Sequence, residues 1–454
     1  MEDEPLRYDA ARARRVEDAG PLAWPDRDYT LVRQASRVRA HPSSWQLWTA
    51  SLLLAAMPLC FAVSGRFKSL PMAVLFVAGV VLLATRADTR HACRLAWPVI
   101  AACLLRLLYD IGNFIGHRLD WSTLDLPAQT LLFLGIAAVF TLPLKSRLIA
   151  LGFSLTAVLL GTASLYQRYV LDVDRPYGLN GGDWAAVEFA MYLLVLVLLA
   201  MLQALRPGVP RGDRWLHVAA VVVGLYGAVL TQSRGPLLAF APVYLGLMLW
   251  YAMRSRHWRR VLVLFAATVL GMLAVTATLH RELVERLTDV PSQIASYDTG
   301  GSGADASAVG ERLEMWRTAW QAFREHPLGG IGLDRFGVYA REQAAAGNAS
   351  PLISKYVHPH SEYLESMVAG GLPALLVLLL FLAVPLGFFA RHLGHAQEPV
   401  AAAAAAGAMV IGMYALCAFS DNVFYRAMPQ SLYLFLVLGL AIGIGRLRHN
   451  APSR

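Results

Sequence analysis

The sequence predicts an all-α membrane protein that crosses a bilayer about twelve times and carries one helical loop domain. Only 16% of its 454 residues are charged and 57% are hydrophobic, whereas about a quarter of the residues of a soluble domain are charged. Apolar runs of about 17–25 residues recur along the chain, which is enough to cross a hydrocarbon core of about 30 Å. These runs are continuously apolar and do not alternate with polar residues, so helices are predicted and not the strands of a barrel.

The apolar runs predict the spans in chain order. They lie near residues 45–64, 70–85, 95–110, 126–144, 148–167, 185–205, 215–232, 236–253, 261–279, 361–390, 400–419 and 427–445. The chain then divides into a basic tail, spans one to nine, a loop domain, spans ten to twelve and a second tail, at 1–44, 45–279, 280–360, 361–445 and 446–454. The first tail has no apolar core, so no cleavable signal peptide is expected.

The distribution of basic residues predicts the orientation. If the N-terminus is inside, the seven inner segments hold 24 of the 40 lysines and arginines. Basic residues concentrate in cytoplasmic loops, so both termini are predicted to be cytoplasmic. The formal net charge of +9 therefore reflects membrane topology and gives no indication of nucleic-acid binding.

The one long outer loop, residues 280–360, is predicted to form a small helical cap between spans nine and ten. Leu313, Trp316, Trp320 and Phe323 recur at helical spacing and define one face of an amphipathic helix. Pro327 and the two glycines that follow it end that helix. A second short helix is expected near 333–346. Loops of this length are usually functional or disordered.

Arg234 lies in "LTQSRGPLLAF", residues 230–240, in a short outer turn between two spans. An arginine near hydrocarbon is costly, about 2.5–3.5 kcal/mol at the bilayer centre and less at its edge. It could extend its side chain to a lipid phosphate, or Arg234 and its neighbour Ser233 could hold an anionic group of a substrate.

Three other arginines leave similar alternatives open. Arg312 begins the amphipathic cap helix, where it could belong to a solvated face paired with glutamates such as Glu314. Arg168 and Arg175 lie in the polar outer loop 167–184, which could be a substrate rim or a self-neutralised loop. Within span three, Arg106 is expected to pair with Asp110 four residues later.

Two histidines flank a proline at the beginning of span ten, in "HPHSEYLE", residues 358–365. His360 could be a general base, since an imidazole titrates near neutral pH; it could also cap the helix or pack within it. A metal site is not predicted, because His358 and His360 with two glutamates lack the spacing of a zinc enzyme.

Other chemistries receive no support from the sequence. No phosphate-binding loop followed by Lys-Ser or Lys-Thr occurs, and "GGIGLDRF" lacks the full dinucleotide fingerprint, so no nucleotide cofactor is expected. The four cysteines lie in apolar runs or a short loop, and no structural disulfide is expected.

The Ser-Arg-Gly turn, the Arg-bearing cap helix followed by "EHPLGGIGLDRF", and "HPHSEYLE" occur in an order that resembles the O-antigen ligase family. The resemblance is strongest over about 215–375. The superfamily also holds O-antigen polymerases and protein O-oligosaccharyltransferases. A lipid-linked glycan transporter is a less favoured alternative, because the charged groups gather at one face and not at the midplane.

The resemblance implies a glycosyltransferase of the GT-C type in the bacterial inner membrane. Such an enzyme moves O-antigen glycan from undecaprenyl diphosphate to lipid A–core oligosaccharide on the periplasmic face, without nucleotide, metal or other cofactor. By matched motif, His360 would be the base and Arg234 and Arg312 would hold the diphosphate. The expected substrate contacts are His358, Arg168, Arg175, Ser233 and Ser361, with Ser361 standing where relatives often have Asn. Direct attack by the acceptor hydroxyl would invert the anomeric carbon.

Overall fold

The computed structural model describes residues 43–63, 66–179, 186–255 and 308–449, together with part of 258–270. These residues form helices and turns, with no strand among them. The predicted tail 1–44 lies almost entirely outside the described residues, as do most of span nine and the first part of the loop 280–360. Of the N-terminal unit, residues 1–46, only the beginning of the first helix is described.

Fourteen α-helices are described along these ranges, and short 3₁₀ turns flank several of them. They are α1 Ser44–Ala62, α2 Arg66–Thr85, α3 Ala87–Leu95, α4 Trp97–His117, α5 Asp125–Ala137, α6 Ser146–Tyr169, α7 Ala186–Leu205, α8 Arg211–Leu230, α9 Arg234–Ser255, α10 Ala308–Glu325, α11 Phe336–Ala345, α12 Glu362–Ala390, α13 Glu398–Cys417 and α14 Ala427–His449. All four cysteines are free.

The chain is an all-α, multi-pass membrane protein, but the predicted count of twelve spans is not confirmed. Within the described residues, ten helices are long and apolar enough to cross a bilayer, and α2 with α3 makes an eleventh if this pair, bent by 100°, is one span. The third span, predicted at 95–110, is the longer α4. The prediction stopped too early because α4 continues through Asn113, a polar residue that is buried against other helices and not exposed to lipid.

The centre of the bundle is formed by α7, α13 and α14, whose apolar stretches are 72–78% buried. Residues from Phe189 to Leu202 on α7 are buried on every side, as expected for a helix surrounded by protein and not by lipid. The helices α6 and α8 pack closely where a Cβ at Gly227 would approach the Cα of Gly161 within 2.8 Å. Small residues of this kind allow helix backbones to approach each other within a membrane.

The helix α12 is broken at Gly370 and Gly371, and the turn after α10 docks on the break. Gly371 has φ +68°, and a Cβ there would collide with the Pro327 carbonyl. The amide of Leu372 donates to that carbonyl at 2.8 Å. Only glycine adopts this conformation readily and leaves space for the turn.

The carbonyls freed by the break are taken up by the turn and by α4. Ile331 N donates to Val368 O at 2.8 Å. From α4, the Tyr109 hydroxyl donates to Gly370 O and the Asn113 amide to Ala369 O, each at 2.8 Å. A broken span is stable when neighbouring groups satisfy its backbone in this way. The motif "EHPLGGIGLDRF" therefore fixes the cap to the bundle.

The cap, as described from α10 to residue 361, confirms two predicted helices but changes the face by which the first one packs. Met315, Ala319 and Ala322 are buried in a small core with Phe336 of α11, whereas Trp320 of the predicted face is 49% exposed. Glu314, which the alternative of a solvated face would expose, is only 5% exposed. Its carboxylate accepts a hydrogen bond from the Ser350 amide at 3.0 Å and pairs with Arg317 at 3.7 Å.

Candidate functional site

His360 lies in the loop that connects the cap to α12, in a backbone conformation with φ +51°. A non-glycine residue rarely adopts this conformation, and such residues gather at functional sites. The loop is held from both sides. Trp316 of α10 donates its indole N–H to Pro359 O at 3.1 Å, and Glu362 N donates to Ala418 O at 2.9 Å. The cap and the α13–α14 connection together therefore fix where His360 lies.

The partner of His360 is Asp421, a residue that the sequence reasoning did not single out. The His360 Nδ1 lies 3.0 Å from Asp421 Oδ1, and Asp421 is 5% exposed. Burial acts to raise the pKa of Asp421, but the hydrogen bond and charge of His360, together with the hydrogen bond from the Asn422 amide, keep the pKa below its usual value. The signal available in the sequence was only a polar "SDN" in an outer connection between two apolar spans.

The ionised state of Asp421 fixes which nitrogen of His360 carries the proton. A carboxylate only accepts hydrogen bonds, so Nδ1 is the donor and Nε2 keeps its lone pair. A carboxylate that orients an imidazole and stabilises the imidazolium formed during the reaction is the arrangement found behind many general bases. His360 and Asp421 can together accept a proton from a hydroxyl presented to Nε2.

His358 packs beside this pair but has a different character. Its ring centroid lies 4.5 Å from that of His360 and 4.6 Å from that of Tyr425, and the residue is 8% exposed. Burial, and next the charge of His360, lower the pKa of His358 to about 4. His358 is therefore neutral near pH 7 and supports the loop more readily than it would take part in proton transfer.

The Ser-Arg-Gly turn meets the same connection between α13 and α14. A Cβ at Gly235 would collide with the Ser420 hydroxyl, so the turn lies directly against the residue that precedes Asp421. Arg234 is the first residue of α9, and its side chain is half-buried. The positive end of a helix dipole and a guanidinium coincide there, which favours an anionic ligand.

Arg175 also reaches this turn. Its Nε donates to Thr231 O at 3.1 Å and its Nη2 to Ser233 Oγ at 3.3 Å. The guanidinium of Arg175 is therefore held beside the turn that Arg234 ends. Two of the predicted arginines and Ser233 thus come together within one site.

The remaining predicted residues are arranged less directly. Arg168 forms an ion pair with Asp174 at 2.9 Å, as a self-neutralised loop would. Ser361 is 4% exposed and donates its hydroxyl to Ala418 O at 3.4 Å. Arg312 is exposed on α10, one turn before Trp316 and on the same side of the helix, so it lies on the face of α10 that contacts the His-Pro-His loop.

His358, His360 and Asp421 also form a group that could hold a metal ion. Their ligand atoms lie within 4.8 Å of one another. Ligands of a tetrahedral zinc lie about 3.4 Å apart, as bonds of about 2.0–2.1 Å require, so ion binding would require the side chains to move closer together. No metal-ligand spacing is visible along the chain, because Asp421 is 61 residues from His360.

The fold and site define a multi-pass membrane protein. The side of the bundle on which the cap docks, called the cap face below, carries the His360–Asp421 pair close to Arg175 and Arg234. Residues 219–379 match the family described as O-Antigen ligase, a range that includes Arg234, Arg312, His358 and His360. This match supports membership in the O-antigen ligase superfamily. It is also 24% identical over 292 residues, which are 63% of this chain and 70% of the relative, to an uncharacterized protein of Haemophilus influenzae.

Proposed function

We propose that the protein transfers O-antigen glycan from undecaprenyl diphosphate to a sugar hydroxyl of the lipid A–core oligosaccharide. Superfamily membership supports a lipid-linked glycan donor and a lipid acceptor in general. The observation that carries the proposal is the His360–Asp421 pair, which lies next to the Arg234 turn through the contact of Gly235 with Ser420. A base and a cluster of arginines are the two functions that such a transfer requires.

The proposed step breaks one bond and forms one. The acceptor hydroxyl oxygen attacks the anomeric carbon, and its proton passes to His360 Nε2. The bond from that carbon to the diphosphate oxygen breaks, and the electron pair leaves with the diphosphate. Attack from the side opposite the leaving group inverts the anomeric configuration.

The arginines are proposed to stabilise the departing diphosphate. Arg234 and Arg175 lie at the turn, and Arg312 lies on the cap helix α10. A guanidinium binds phosphate oxygens through two parallel hydrogen bonds, and this stabilises negative charge as it develops. This mechanism uses no metal or other cofactor. Ser233 and His358 would orient these groups, while Arg168 and Ser361 would shape the loops behind them.

The proposed location is the bacterial inner membrane, with the cap face in the periplasm and both termini in the cytoplasm. The excess of lysine and arginine in the opposite set of loops supports this orientation. The prenyl tail of the donor would then lie in the hydrocarbon, with its diphosphate at the level of Arg234.

The experiment replaces His360 with Ala in a host that lacks its chromosomal copy of the gene, with the wild-type gene as the control. Lipopolysaccharide is examined on a gel, and the amount of membrane protein is measured by immunoblot. We expect a core band without an O-antigen ladder. A normal ladder would contradict the mechanism, and a single repeat attached to core would instead indicate the polymerase, the alternative within the superfamily.

A further inference from the structure

A cavity of about 70 Å³ lies beside the His–Asp pair, at the junction of α4, the beginning of α12 and the connection that precedes α14. This is several times the volume of about 10–15 Å³ that one water molecule needs, so the cavity has room for polar groups of a ligand. The residues that give it its chemistry are Arg106, Asp110, Asp334, Glu362, Glu365 and Asn422.

One arginine faces four carboxyl groups in this cavity. Arg106 bonds Asp110 at 3.2 Å and approaches Glu362 at 3.7 Å. The other Glu362 oxygen accepts the Phe424 amide at 3.2 Å. Asp110 and Glu362 therefore share one guanidinium, and Asp334 and Glu365 are two further acidic side chains of the same cavity.

Three side chains of the cavity carry buried polar atoms without partners among the described residues. These atoms are Arg106 Nη1, Glu365 Oε2 and both polar atoms of the Asn422 amide, a residue only 1% exposed. An unpaired buried polar atom costs about 1–3 kcal/mol. Unpaired polar groups that line a cavity are typical of a site in which a ligand supplies the missing hydrogen bonds.

The cavity adjoins the reacting groups. Glu362 follows His360 by two residues, and Asn422 follows Asp421 directly. Tyr425 lines the cavity, and its ring is also the one that packs on His358 at 4.6 Å. A molecule held in the cavity would therefore lie next to His360.

The chemistry of the lining favours a sugar ring. The unpaired carboxylate oxygen needs a hydrogen-bond donor, and the amide offers both a donor and an acceptor. Phe424 and Tyr425 add aromatic surface. The cavity is not built for a metal ion, because the one group of converging ligand atoms found among the described residues is His358, His360 and Asp421.

The composition of the lining does not favour the diphosphate in this cavity. The lining has four acidic side chains and one arginine, and neither Arg175 nor Arg234 is among its residues. The arginine turn meets the α13–α14 connection at Ser420, whereas the cavity begins at Asn422. The cationic and acidic parts of the cap face therefore meet this connection on either side of Asp421.

We propose that this acidic cavity is the subsite for the sugar of the acceptor that receives the glycan, and that it selects a ring without phosphate. The inference rests on the proposed function, since that function supplies an acceptor with a free hydroxyl. The sugar hydroxyls donate to Glu365 and exchange hydrogen bonds with Asn422, and one further hydroxyl is presented to His360.

The first test measures binding and requires no activity. The probe is the host's core oligosaccharide released from lipid A, with its phosphates removed or retained, added to the purified full-length protein in detergent. Saturation-transfer NMR should show binding of the dephosphorylated probe to the wild type and about tenfold weaker binding to Glu365→Gln, the loss expected when one hydrogen bond is disrupted. Glu342→Gln, which removes an exposed carboxylate of α11, is the matched control.

The second test measures transfer. Glu365→Gln and Asn422→Ala should each raise the KM for the acceptor about tenfold and leave the KM for the lipid-linked donor unchanged. Unchanged acceptor binding in both variants, preferential binding of the phosphorylated probe, or a rise in the donor KM alone would overturn the proposal. If the wild type binds the probe but transfers no glycan, the subsite stands and the proposed function fails.

Discussion

Replacing Asp421 with Asn tests the pair on which the proposed mechanism depends. The substitution keeps the volume and removes the charge of a residue that is 5% exposed and lies 3.0 Å from His360 Nδ1. Two effects follow. The imidazolium formed during the reaction loses a charged partner, and the new amide can donate to Nδ1, which would place the proton on Nε2, where the acceptor hydroxyl needs a lone pair.

The expected loss combines these two effects. A hydrogen bond to a charged group contributes about 1.5–3 kcal/mol, which corresponds to a factor of about 10–150 in rate. Holding the imidazole in the wrong tautomer lowers kcat further, and the same change in a Ser-His-Asp triad costs about 10⁴. We therefore expect kcat to fall by at least about 100-fold, with the donor KM nearly unchanged.

The assay follows glycan transfer by purified protein in detergent, at saturating donor and acceptor. Asp172→Asn is the control, because it makes the same chemical change at an exposed residue. The backbone of Asp172 has φ +52°, a conformation that Asn tolerates. The double variant of Asp421→Asn with His360→Ala should be no slower than His360→Ala alone, since the two residues act as a unit. A kcat for Asp421→Asn within about threefold of wild type would refute the reasoning.

Four further outcomes are expected. Arg234→Ala should lower transfer by about 100-fold and Arg234→Lys should restore only part of it, because lysine lacks the bidentate geometry; full activity of the lysine variant in the same assay would contradict a diphosphate clamp. Gly371→Ala should lower the melting temperature and expose the cap to protease, because φ +68° disfavours a side chain and the Cβ would collide with Pro327; unchanged proteolysis would count against the docking described. Because His358 is neutral in the folded protein, with its pKa lowered to about 4, the free energy of unfolding should fall as the pH falls from 6.5 towards 4, where the unfolded chain binds the proton first; the melting temperature of His358→Gln should fall less over that range. Chelator should leave transfer unchanged, and activity lost in chelator and restored by a divalent ion would assign a metal to the His358 group.

The sequence was informative where the physics is local. A continuous apolar run must form a helix in a bilayer whatever surrounds it, so the helical class and most span positions could be predicted. The motifs around Arg234 and His360 could be recognised because each is short and contiguous. Hydropathy was misleading in α4 and α10, where the buried polar residues Asn113 and Glu314 are satisfied by partners distant in sequence.

By itself, the sequence determined that this is a helical membrane protein and which motifs its cap face carries. The tertiary structure alone decided that Asp421 orients His360, that the Ser-Arg-Gly turn meets the same connection, and that an acidic cavity adjoins it. These contacts join residues separated by 61 positions or more along the chain. The apolar surfaces of the helices cause them to pack together, but they do not determine which polar side chains meet. The pairing of two polar side chains is decided by where the packed helices end, and no local pattern of residues records that position.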